Sequence, residues 1–154
     1  MKNKLALAIA LMLPFSAMAA QSSVDEVKEK FEMSHIYPVD WNQTAHGYEA
    51  ESSDDNRYIK VKLSETSAMA KIEFEDSESD FAIYAVINCD RLSDLIPMER
   101  SSSWSDEQTE DEKLLSSVIT EDIKVGQTKK ATINNWDVSF TRTSDGAHCE
   151  VSKR

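Results

Sequence analysis

Ser23 followed by Glu26 has the spacing of a reciprocal helix cap, and Val24, Val27 and Phe31 then recur at i, i+3 and i+7 among charged neighbours. That spacing predicts an amphipathic helix of about three turns, ending near Ser34 to Tyr37 because Pro38 steers its predecessor out of the helical region. From Val39 to Asn56 no period holds; Trp41, Gly47, Tyr48 and the polar run 52–56 suit a loop or one irregular strand. The period then drops to two. Ile59, Val61 and Leu63 alternate with Lys60 and Lys62, and Ala68, Ala70, Ile72 and Phe74 alternate with Met69, Lys71 and Glu73. These are the marks of two half-buried strands.

Phe81 to Cys89 is apolar at almost every position, which predicts a central strand covered on both faces. Leu92, Leu95 and Ile96 suit a short helical turn before Pro97. Ser105 with Gln108 repeats the capping pattern, and Leu114, Leu115, Val118 and Ile119 form a stripe, so a second helix is expected over about 106–121. Three more strands close the chain. Ala131 and Ile133 alternate with polar residues up to the turn Asn134-Asn135, and Trp136, Val138 and Phe140 up to Ser144-Asp145-Gly146; Cys149 and Val151 share a face of the last strand. The order α-β-β-β-α-β-β-β implies an α+β fold: an antiparallel sheet of about six strands with two helices.

The extreme N-terminus stands outside this pattern. Lys2 and Lys4 precede the apolar run from Leu5 to Phe15, and Ala17-Met18-Ala19 places small residues where a signal peptidase reads them. Residues 1–19 are therefore read as a secretory signal peptide, too short to span a bilayer of about 20 helical residues. The leader resembles those of Gram-negative exported proteins, and no Cys lies beside the expected cut to take a lipid. The expected product is one soluble mature domain, 20–154, in the periplasm or secreted, with no membrane anchor. In that oxidising setting Cys89 and Cys149, the chain's two cysteines, are expected to form one disulfide.

Charge adds a further constraint. The mature segment has 15 basic and 28 acidic residues, a formal charge of −13, divided between −16 over 20–123 and +3 over 124–154. Such a field repels nucleic acid and favours a basic partner. One acidic cluster runs from Glu73 to Asp80 and a second from Asp106 to Glu112. The second, with Asp106, Glu107, Glu110, Asp111 and Glu112, follows Trp104 in a serine-rich stretch, and together these six are the expected partner-binding residues. Trp104 suits either an exposed anchor or a hydrophobic staple on the helix behind it.

Other chemistries find little footing. Three isolated glycines provide no phosphate loop. Asp76-Ser77-Glu78-Ser79-Asp80 begins like a calcium loop, but Phe81 occupies the position of the sharp-turn Gly. His35, His46 and His148 have no metal-ligand spacing, and no Gly-x-Ser-x-Gly is present. No metal, cofactor or catalytic residue is expected. Three function classes follow: a non-enzymatic acidic binding protein, such as an immunity or inhibitor protein docking a basic cell-envelope hydrolase; an accessory subunit of a secretion or pilus assembly; or a small periplasmic hydrolase with an unrecognised site.

Overall fold

A computed structural model describes residues 22–54, 56–74, 81–101 and 107–154. Seven antiparallel strands form one sheet: β1 Asn42–Thr44, β2 Gly47–Asp54, β3 Arg57–Leu63, β4 Ser67–Phe74, β5 Thr128–Ile133, β6 Trp136–Arg142 and β7 Gly146–Lys153, in the order β1-β2-β3-β4-β7-β6-β5. Two meanders are thus joined where β4 pairs with β7, with Ala70 opposite Cys149 and Ala68 opposite Val151. The α+β class holds, with three α-helices and seven strands among the described residues.

Alternation decides the two faces of the sheet. Ile59, Val61, Ile72, Val138, Phe140 and Val151 are buried beneath the helices. Lys60, Lys62, Lys71, Glu73, Glu150 and Asp137 occupy the opposite face, where Lys60 meets Glu51 at 3.5 Å and Lys62 meets Glu49 at 3.6 Å across the strands. Gly146 has a steric reason: a Cβ there would run into the carbonyl of Ile72 on β4. The Asn134-Asn135 turn is also as expected, both residues having positive φ (47° and 67°), the geometry of a tight primed hairpin turn.

Helix α1, Val24–Lys30, starts at the reciprocal cap: the Glu26 N–H donates to Ser23 Oγ (3.2 Å) and the Ser23 N–H to Glu26 Oε2 (2.7 Å). It tightens into a 3₁₀ turn, Phe31–Ser34, and stops at His35, whose φ of 59° is left-handed. Val39 to Asn56, expected as a loop or single strand, begins within a 3₁₀ turn, Pro38–Asp40, and goes on as the β1–β2 hairpin.

Phe81–Cys89 is not a strand. It forms a π-helical turn, Phe81–Val86, leading into α2, Ile87–Leu92, and a 3₁₀ turn, Ser93–Leu95. The central place in the sheet belongs to β4 and β7, and the apolar run lies across them instead. Phe81, Ala85, Cys89, Leu92 and Leu95, spaced by three or four residues, are buried together with Ile96, whereas Ile83 and Ile87 are 65% and 45% exposed. A strand would have put Ile83 and Ile87 on the same face as Phe81 and Ala85. The disulfide exists as expected, with Cα atoms 5.7 Å apart, but ties α2 to β7 rather than strand to strand.

Helix α3, Glu110–Val118, begins later than the expected residue 106. Its cap is Thr109 with Glu112, not Ser105 with Gln108; Ser105 lies outside the described residues. Leu115 and Val118 enter the core, followed by Ile119 at the C-cap.

Candidate functional site

The cap of α3 sorts the acidic cluster into different roles. Glu112 closes it: the Thr109 N–H donates to Glu112 Oε2 (2.8 Å) and the Glu112 N–H to Thr109 Oγ1 (3.2 Å). The other oxygen, Oε1, accepts from the N–H and hydroxyl of Ser101, at 2.9 and 3.0 Å. These donors, the Thr109 N–H foremost, hold the Glu112 carboxyl below its ordinary pKa. Its charge serves the joint between α3 and the preceding segment.

Glu107, Glu110 and Asp111 face a groove completed by Glu99 and by Asn134 of the β5–β6 turn. The left-handed backbone of Asn134 presents its side chain to both neighbours: Nδ2 donates to Asp111 Oδ2 (2.7 Å) and to the Pro97 carbonyl (2.8 Å). Lys113 Nζ donates to Glu110 (3.0 Å) and Glu107 (3.2 Å), which raises its pKa. The groove's described lining residues thus include four carboxylates and one ammonium, which pairs with two of them. Trp104 and Asp106 lie outside the described residues, as does the acidic stretch 75–80.

The three histidines are dispersed. His35 Nδ1 is 2.7 Å from Asp54 Oδ2, His46 sits in the β1–β2 turn, and His148 lies on β7 with its side chain on the face away from the helices. Among the described residues no three His, Cys, Asp or Glu side chains gather as a metal set.

A second pocket was not legible from motifs. Its floor is a polar cluster that unites α2 with the Phe31–Ser34 turn. The Ser34 hydroxyl donates to Asn88 Oδ1 (2.6 Å), and Arg91 Nη1 donates to Ser34 Oγ (2.6 Å) and Asn88 Oδ1 (2.7 Å). Asn88 Nδ2 in turn donates to the Tyr84 carbonyl at 2.8 Å. Arg91 is half-buried, and loss of hydration pulls its pKa below the ordinary guanidinium value. Arg57 lies over the Tyr84 ring at 5.2 Å, and the His35–Asp54 pair is at the rim.

Ile83, Tyr84, Ile87, Asn88 and Arg91 share this face because their segment is helical; as a strand it would have scattered them. The available signal was the spacing of Phe81, Ala85, Cys89, Leu92 and Ile96, which continues past Cys89 at three to four residues and exceeds ordinary strand length.

No known protein family matches this chain, and no significant similarity connects it to a curated protein or a solved structure.

Proposed function

We propose that this is an exported, non-enzymatic binding protein that uses the acidic groove beside α3 to dock a basic protein of the cell envelope, as an inhibitor or immunity protein of a cell-wall hydrolase would. The observation that supports it is that Glu107, Glu110 and Asp111, from one local run, share a concavity with Glu99 from the preceding segment, with Lys113 as its described lining cation. Complementary charge of this kind accelerates encounter and discriminates against acidic competitors. Asn134 holds Asp111 from the neighbouring hairpin, so part of the acidic surface is oriented before a partner arrives.

The test is capture from envelope extract by mature 20–154 at low and moderate salt. It compares the native chain with Glu107→Lys/Glu110→Lys/Asp111→Lys and with a control reversal, Glu65→Lys/Glu121→Lys, at exposed acids elsewhere. Glu112 is left intact because its change would disturb the cap. One basic protein retained by the native and control chains, and lost from the groove variant, supports the proposal. Capture that ignores both salt and groove reversal refutes it.

A further inference from the structure

We infer that the pocket between the Phe31–Ser34 turn and α2 binds a carboxylate carried on a compact apolar body, with Arg91 as its recognition residue. The pocket shares no described lining residue with the acidic groove.

The hydrogen bonding of Arg91 points to this ligand. Among the described residues its hydrogen bonds come from Nη1 alone, to two neutral groups, Ser34 Oγ and Asn88 Oδ1, while the guanidinium also lies 5.8 Å from the centre of the Phe31 ring. Among the described residues no carboxylate forms an ion pair with Arg91, and neither Nε nor Nη2 donates to a protein group. Those two nitrogens define one edge of the guanidinium, the fork that receives both oxygens of a carboxylate side by side. Asn88 is 1% exposed and Ser34 6%, so the network holding Nη1 is buried and orients the guanidinium in advance. Asp90 and Asp94 offset part of the hydration Arg91 has lost, but at a distance, with no carboxylate seated on the fork; an incoming anion there supplies the direct contact.

The walls describe the rest of the ligand. Met33, Ile83 and Ile87, which line the pocket, are 81%, 65% and 45% exposed, an apolar rim around a charged floor. Such an arrangement, mostly apolar with a few convergent polar groups, is that of a small-molecule site. Among the described lining residues Asp54 is the acid, and His35 already engages it. The volume is about 230 Å³. A strongly hydrated inorganic anion would leave the apolar rim without a partner.

Hexanoate is the probe, titrated into isotope-labelled mature 20–154 and followed by NMR at the Ile83 and Ile87 methyls and the Arg91 Nε–H. Saturable shifts at all three are expected, with hexanamide, which lacks the charge, binding at least tenfold more weakly. Ile83→Glu changes an exposed rim residue and places an acid at the mouth; it should abolish binding while leaving thermal unfolding unchanged. Arg91→Met should also abolish binding, and Arg91→Lys, which keeps charge but loses the fork, should weaken it at least tenfold. N-acetylvaline distinguishes the sources of the carboxylate: tighter binding than hexanoate identifies a polypeptide C-terminus, and weaker binding a free aliphatic acid. Absence of saturable shifts, equal binding of hexanamide, or equal displacement of hexanoate by inorganic phosphate overturns the inference.

Discussion

Reducing the Cys89–Cys149 bridge removes one covalent link while leaving both sulfur atoms in place. The link closes a loop of 60 residues. In the chain-entropy description, releasing it returns about 14 cal/mol/K to the unfolded chain, or about 4 kcal/mol at 25 °C. For a domain whose net stability is of order 5–15 kcal/mol, that is a large share. Both cysteines are fully buried, so a Cys89→Ala/Cys149→Ala chain should lose roughly 1–2 kcal/mol more through missing contacts. Urea unfolding of the oxidised, reduced and doubly substituted proteins, followed by far-ultraviolet circular dichroism, separates these contributions. With an m-value of about 1.5 kcal/mol/M the midpoint should fall by roughly 2.5–3 M on reduction, and m itself should rise because the uncrosslinked unfolded chain exposes more surface. A loss below about 1 kcal/mol with m unchanged would refute the loop-entropy reasoning.

Gly146→Ala should destabilise by more than about 2 kcal/mol in thermal or urea unfolding, because its Cβ is driven into the Ile72 carbonyl at the β4–β7 junction. Gly126→Ala meets open space and faces only the penalty of its φ of +82°, about 1 kcal/mol, so the two glycines should rank in that order. Thr109→Ala should cost about 1 kcal/mol by loss of the α3 cap. Glu112 has a lower pKa folded than unfolded, so its contribution is fully present above the unfolded carboxylate value of about 4.3 and disappears as pH falls through the lower folded one. Glu112→Gln should therefore be less stable than the native chain at pH 7, the gap narrowing in acid; a gap constant across a pH series of urea titrations would contradict that assignment.

The acidic cluster was visible as a run of residues because such a run is local, yet its division of labour was not. Glu112 turns to Ser101, eleven positions away, and Asp111 to Asn134, twenty-three away, so only folding distinguishes cap from groove. Glu99 entered the groove with no motif to announce it. The Arg91 pocket was further from view, since it depends on a segment whose apolar run satisfied a strand as readily as a helix.

What the chain determined by itself was whatever a period or a cap encodes within a few residues. The start of α1, the alternation in β3, β4, β6 and β7 and the Asn134-Asn135 turn are of this kind; the pairing of Cys89 with Cys149, 60 positions apart, followed instead from there being two cysteines to pair. Tertiary structure decided where the C-terminal strand inserts, and hence everything that depended on the sheet's centre. Once β7 pairs with β4 through Ala70 and Cys149, Phe81–Leu92 crosses the sheet as helix, with Phe81, Ala85 and Cys89 facing inward and Ile83 and Ile87 outward. A buried strand and a buried helix make the same local demand for apolar residues; competition for the same backbone partners and core volume decides between them, and those partners lie far along the chain.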